Sequence, residues 1–357
     1  MKSPLWYALN LRLWPRLSEF KLAQLLQQAK LEQIYQFYQN KVASGRAAGL
    51  SEQHQIMIEQ ALQWEQAAEV NHIIDIEDNR YPKALKNIAD PPPVLFIKGK
   101  LPDQQFPHVA FVGARQGTTS AKQHTIDLTR QLASSGVVIV SGLAAGIDAC
   151  AHQGAINAKG VTVAVLGSGL EHIYPKGNIN LANEIISSGG CLISEQWPNC
   201  PPNAYNFPKR NRIISGLSCG VVVVEAQTKS GTLITARLAN EQGRQVMAIP
   251  GSIHNKYVEG CHYLIRQGAV LVTDASQILE ELNLDQELLN QKVTDVKKHE
   301  LPFAKVLSNV GYEVTTIDEI VSSTGASFEE VIGQLMTLEL EGWVATTAGG
   351  YVRIRRG

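Results

Sequence analysis

Residues 109–148, VAFVGARQGTTSAKQHTIDLTRQLASSGVVIVSGLAAGID, carry the pattern on which the fold depends. A short β-branched run, VAFVGA (109–114), leads through a helix-length stretch to a second run, VVIVSG (137–142). Neither run alternates apolar with polar residues, so each strand is expected to be covered on both faces, as in a parallel sheet between layers of helices. The pattern repeats in VTVAVLG (161–167), CLISE (191–195), VVVVEA (221–226), QVMAIPG (245–251) and AVLVTD (269–274), mostly separated by helix-length segments such as GTLITARLANEQG (231–243). This spacing predicts an α/β, doubly wound, mostly parallel domain over 108–280.

Outward from that domain the pattern changes. Residues 1–72 read as a small helical domain: LSEFKLAQLLQQAK (17–30) and SEQHQIMIEQALQWEQAAEVN (51–71) place apolar residues three and four apart, with 41–49 as a loop. Residues 73–107 hold Tyr81-Pro82, Pro91-Pro92-Pro93 and Gly99 and read as an extended connector into the core. Residues 281–300 mix charges without apolar periodicity and read as a linker. In 301–357, helices are followed by VATTAGGYVRI, two short strands around Gly349-Gly350, the order of a winged helix-turn-helix.

Composition excludes several classes. With 357 residues, 44% of them hydrophobic, the chain can bury a sizeable core without a metal or disulfide brace. Cys150, Cys191, Cys200, Cys219 and Cys261 form no CxxC pair; four of them sit in or beside apolar runs, so small buried hydrophobes in a reducing cytoplasm are expected. No signal peptide or charge-free membrane span is expected. A formal net charge of −1 means that any polyanion site must be a local concentration of cations.

Four of the strands run into glycine-rich turns: Gly113 to Thr119, SGLAAGID (141–148), GSGLEHIYPKGN (167–178) and Lys229-Ser230-Gly231-Thr232. In a parallel sheet such turns fall on the carboxyl edge, where backbone amides and helix starts attract anions. Glycine turns also simply join strands to helices, but four on one edge beside basic and hydroxyl residues point to an anion site. Neither a GxGxxG fingerprint nor a GxxxxGK[ST] loop occurs, which weighs against a nicotinamide or nucleotide triphosphate cofactor; no cofactor is expected. The densest cluster is Phe207-Pro208-Lys209-Arg210-Asn211-Arg212, three cations in four positions beside an asparagine. Arginine forks suit phosphate oxygens, Asn211 can donate to phosphate or a base edge, and Phe207 and Tyr205 offer faces for stacking. The alternative is a solvated basic turn with Arg210 or Arg212 paired to Glu225 or Asp148.

These residues, in this order, resemble the DNA-processing protein A (DprA/Smf) family. The likeness spans about 80–275: YPxxL from Tyr81 to Leu85, the turn with Arg115, SGLAxGID at 141–148 followed by Ala151-His152, LGSGL with Tyr174-Pro175 and Asn178, Ser194-Glu195, FPxRNRIISGLS at 207–218, VVEA with Ser230-Gly231-Thr232, and Ile249-Pro250-Gly251. The resemblance implies an extended Rossmann-like fold, a SAM- or HhH-like N-terminal helical domain, homodimerisation, and non-catalytic binding of single-stranded DNA that is protected and loaded with RecA during natural transformation or recombination. It maps the basic DNA pocket onto Arg115, Lys176, Lys209, Arg210, Asn211 and Arg212, with Phe207 as a stacking face and support from Ser141, Gly142, Gly167, Ser168 and Gly169. No metal is implied.

One departure stands out. The second helix of the expected helix-turn-helix, in SFEEVIGQLMTLELEGW (327–343), has Glu329, Glu330, Glu339 and Glu341 and no lysine or arginine. Phosphate would repel it, so 301–357 is expected to contact protein or to autoregulate; only Arg353, Arg355 and Arg356 argue otherwise. The main rival from another class is a nucleotide phosphoribohydrolase, because KSGTLITA (229–236) resembles part of PGGxGTxxE. The acid after GT is missing, which removes the obvious general base. His152 and His172 are expected to be structural. A transcriptional regulator is a third reading, disfavoured by the acidic helix.

Overall fold

The computed structural model describes residues 2–284 and 303–354. The expected linker beyond Leu284, and Arg355 and Arg356, lie outside the described residues. Nine strands form one sheet among the described residues, in the order β1-β2-β6-β5-β4-β3-β7-β8-β9. They are β1 (Asn71–Asp75), β2 (Val94–Gly99), β3 (His108–Gly113), β4 (Val138–Ser141), β5 (Thr162–Leu166), β6 (Cys191–Ser194), β7 (Gly220–Val224), β8 (Gln245–Ala248) and β9 (Val270–Leu271). All neighbours from β6 to β9 pair in parallel. The central strands are buried throughout, as Val221–Val224 illustrate, because helices cover both faces.

The chain winds outward from β3 through β4 and β5 to β6, then returns to lay β7 on the other side of β3. The reversal opens a crevice at the carboxyl ends of β3 and β7, the switch point at which doubly wound sheets bind ligands. Helices α5 (Lys83–Lys86), α6 (Thr119–Ser134), α7 (Ile147–Asn157), α8 (Ile179–Ser187), α9 (Asn206–Leu217), α10 (Gly231–Glu241), α11 (Glu259–Arg266) and α12 (Ala275–Glu281) complete the layers.

The stretch expected as an extended connector does more than connect. β1 and β2 pair antiparallel with each other, and β2 pairs antiparallel with β6, so 71–99 extends the sheet. The four-residue run Val94–Ile97 is fully buried; the prolines before it obscure a strand short enough to be read as loop. Ahead of it lie α1 (Pro4–Arg12), α2 (Glu19–Leu26), α3 (Leu31–Ala43) and α4 (Glu52–Gln66). Pro4 occupies the first turn of α1, where a missing amide costs nothing, and Ser18 caps α2 through the Lys21 amide. Leu9, Leu22, Leu31 and Ile58 belong to the same core as Phe96, Val163 and Ile193, so these helices are packed onto the sheet.

The C-terminal segment has its own core around Leu307, Ile320, Val331 and Leu335. Its helices, Ala304–Leu307, Ile317–Thr324 and Phe328–Leu340, precede the hairpin β10 (Val344–Thr347) and β11 (Gly350–Arg353). This is a winged helix. Among the cysteines, Cys191 and Cys261 are buried as expected, Cys150 and Cys200 are half-buried and Cys219 is exposed; all five are free.

Candidate nucleic-acid interface

The basic cluster, for which a solvated turn is the alternative reading, forms the first half of helix α9. Helical geometry divides it, since residues three and four apart share a face while residues two apart do not. Phe207, Arg210, Asn211 and Ile214 follow the i, i+3, i+4, i+7 spacing and line a cavity of about 790 Å³ at the switch point. Lys209 and Arg212 project to the other side.

The turns after the strands build the remaining walls. Ala114, Arg115 and Gln116 follow β3, Ala144 and Asp148 follow β4, Tyr174 follows β5, Gln227 and Ser230 precede α10, and Gly231 opens it. Arg115 is exposed and forms no ion pair among the described residues. Arg210 is buried, and its guanidinium donates to the carbonyls of Gly142 (2.6 Å) and Val165. Its Nε has no protein partner. Burial pulls the Arg210 pKa down to about 10, the Asp148 charge opposes that fall, and the Arg115 cation adds to it. Two like charges therefore face one cavity, and Arg210 still carries its proton at neutral pH.

Asp148 organises the turn beneath them. Its Oδ2 accepts from the amides of Gly142 (3.2 Å) and Ala144 (3.4 Å). Burial pushes its pKa up, although the Arg210 charge and these amide bonds oppose the rise. Behind it, His152 is buried on Thr162, with Nδ1 2.7 Å from Oγ1. The Thr162 hydroxyl donates to Ile139, so it accepts from His152 Nδ1–H and leaves Nε2 without a partner. Burial and then the Arg210 cation hold the His152 pKa down at about 3, which makes it a neutral structural group.

Two further features suit a nucleic-acid strand. Tyr174 and Phe207 pack as tilted rings 5.5 Å apart on the cavity wall, and Tyr174 is 43% exposed. Ser230 stands at the start of α10 with its hydroxyl unpartnered, where the first-turn amides and helix dipole favour an anion.

The geometry narrows the expected set. Arg115, Phe207, Arg210 and Asn211 line one cavity, and Lys176 is exposed on the three-residue turn Lys176–Asn178 just past Tyr174. Asn178 ties that turn to the β4 turn by donating to the Leu143 carbonyl at 2.9 Å. The expected backbone supports are spent internally. The Ser141 hydroxyl donates to Phe111, the Gly142 amide to Asp148, the Ser168 hydroxyl to His172 and the Gly169 amide to Cys200. A Cβ on Gly167 would lie 2.9 Å from the Phe207 ring, so glycine is needed there for close packing of the wall.

Lys209 and Arg212 are also engaged. Arg212 is buried and forks onto Glu195, with Nη1–Oε1 at 3.2 Å and Nη2–Oε2 at 2.8 Å, while its Nε reaches Asp90 at 3.1 Å. Lys209 pairs with Glu19 on α2 and lies 3.6 Å from Glu195. Arg12 on α1 pairs with Glu19 at 3.3 Å and donates to the Glu195 carbonyl. Three cations and three carboxylates thus join the N-terminal helices to the outer face of α9. Of the alternative partners, Asp148 does act on Arg210, through its charge; Arg212 instead takes Glu195 and Asp90, and Glu225 accepts from Thr118 and Asn255. Sequence reading missed Glu19, Arg12 and the Tyr174 ring; the aromatic preceding Pro175 was the available signal for the last.

Residues 72–283 match the family model described as DNA recombination-mediator protein A, and 298–350 match the DprA winged helix domain. Protein Smf of Escherichia coli (strain K12) is 45% identical over 305 residues, covering 84% of this chain and 81% of that protein. The DNA processing protein DprA of Bacillus subtilis (strain 168) is 47% identical over 210 residues, 58% of this chain and 70% of that protein. The X-ray structure of DNA processing protein A from Streptococcus pneumoniae superposes with a TM-score of 0.60 at 34% identity, covering 78% of this chain and 98% of that one. A structure of the Helicobacter pylori protein, concerned with its single-stranded DNA binding mode, gives 0.53 at 31% identity, covering 59% and 96%.

Proposed function

The chain belongs to the DNA recombination-mediator protein A (DprA) family, and we propose that it binds single-stranded DNA in the switch-point cavity and passes the strand to RecA without catalysing a reaction on it. The observation that carries the proposal is the pair of guanidiniums, Arg115 and Arg210, facing one cavity with no ion pair to either among the described residues. A phosphate between them relieves their mutual repulsion and meets the amides at the start of α10. Arg115, Asn211 and Lys176 take successive phosphates, while Tyr174 and Phe207 offer faces for an unpaired base. A concave site admits one flexible backbone more readily than a stiff duplex.

Two such sites in a homodimer would hold a long strand by avidity and protect it during natural transformation or recombination in the cytoplasm. Among the described residues no helix is long and apolar enough to cross a membrane. Lys209 and Arg212, in this proposal, hold α9 in place rather than touch DNA.

Fluorescence anisotropy of a labelled oligonucleotide, single-stranded against duplex, over a salt series, tests the assignment. Single-strand preference that falls with salt and weakens in Arg115→Ala is expected. Binding untouched by that substitution would move the site elsewhere. A small-nucleotide hydrolase would need a carboxylate free to meet an N-glycosidic bond, whereas Asp148, the carboxylate lining the cavity, is held by two amides. Release of free base from nucleoside monophosphates would overturn the binder assignment.

A further inference from the structure

The winged helix displays the wrong chemistry for DNA on the helix that would read it. Residues 303–354 hold seven carboxylates against two cations, Lys305 and Arg353. On helix Phe328–Leu340, Val331, Leu335 and Leu338 are buried in the small domain's core. A second stripe, beside that face, is apolar as well. Phe328, Ile332, Met336 and Leu340 recur every fourth residue, with Phe328 53%, Met336 58% and Leu340 89% exposed. A Cβ on Gly333 would meet nothing within 4 Å, so the stripe is open beside it. Glu329 and Glu339 are exposed along the same face.

An exposed apolar stripe edged with carboxylates is a protein-docking surface in its chemistry. We propose that this face docks an amphipathic helix of a partner protein, whose leucine-type stripe packs on Phe328, Met336 and Leu340 and whose flanking lysines or arginines meet Glu329 and Glu339. Charge decides among occupants. Phosphate is repelled by the acidic rim, and a second copy of the same face would set carboxylate against carboxylate.

The full chain contains four methionines, which makes methyl-labelled methionine a direct probe, with Met336 assigned by Met336→Leu. The added ligand is a synthetic amphipathic peptide of about 20 residues with leucines on one face and lysines beside them. The Met336 methyl should shift saturably while the buried Met247 methyl stays still, and Leu340→Lys should weaken binding at least about tenfold. Leu340 is almost fully exposed, so that variant leaves the fold intact. An equal response to a glutamate-for-lysine peptide, a shift with duplex DNA instead, or no shift overturns the proposal. So does a Met336 methyl as shielded from a paramagnetic cosolute as Met247 in the free protein, which would mean that this chain or a second copy covers the face.

Discussion

Arg210 and Arg212 stand two positions apart on α9 and project to opposite sides, and their surroundings differ in one respect. Arg212 meets two carboxylates, Glu195 and Asp90, and its charge is neutralised within the protein. Arg210 meets carbonyls, feels the Asp148 charge without an ion-pair contact and is repelled by Arg115, so its charge is left facing the cavity. A run of cations is therefore not one site. A helix sorts such a run into an outward-looking half and a half that fastens the helix to the rest of the molecule.

The largest effect is expected from Arg212→Ala, which removes the two-pronged partner of buried Glu195 and leaves it, among the described residues, only Lys209 at 3.6 Å. Loss of one partner of a buried pair costs about 3–5 kcal/mol, so the urea midpoint should fall steeply. A midpoint within error of the parent would mean that the outer face is no clamp.

Next in size is an acid effect centred on Glu19. Burial raises its pKa, but Arg12, Lys209 and Arg212 outweigh burial and hold it at about 2. A carboxyl depressed in the folded state stabilises fully above its unfolded value near 4.5, and that contribution is lost as pH falls from there towards 2. At roughly 1.4 kcal/mol per pKa unit, Glu19→Gln should lower stability at neutral pH by about 3 kcal/mol and flatten the acid limb. Parallel acid limbs in the two proteins would count against the network.

On the cavity side, effects should appear in binding and not in folding. Arg115→Ala should weaken single-strand affinity by about 1–3 kcal/mol and reduce the salt slope by about one, with an unchanged unfolding midpoint. A fall in stability with affinity intact would exchange the roles of the two faces. Tyr174→Ala should cost about 1 kcal/mol of affinity at any salt concentration, since stacking is not ionic; a loss that grows at low salt would assign the ring a different part.

Much of this was legible from local pattern. The run Val221–Val224 could hardly be anything but a central strand, and glycines after four strands marked the carboxyl edge. β1 and β2 were not legible, because short strands between prolines carry no period of their own. The phosphate cluster was legible as a cluster but not as two faces, because the prolines in and before it and the short apolar spacing around it hid the helix that divides it. The loop glycines were read as openings to a ligand. At Gly167 the neighbour that requires glycine is Phe207, forty residues onward.

Residues close together, or motifs in order, specify the strands from β3 onward, the helical character of the two flanking regions, the winged order of the C-terminus and the family. Tertiary structure alone decided which cation keeps its charge for a ligand. Lys209 meets Glu19 across 190 positions and Arg212 meets Asp90 across 122. Whether a guanidinium is neutralised depends on carboxylates brought within a few ångströms by folding, and no periodicity along the chain records that distance.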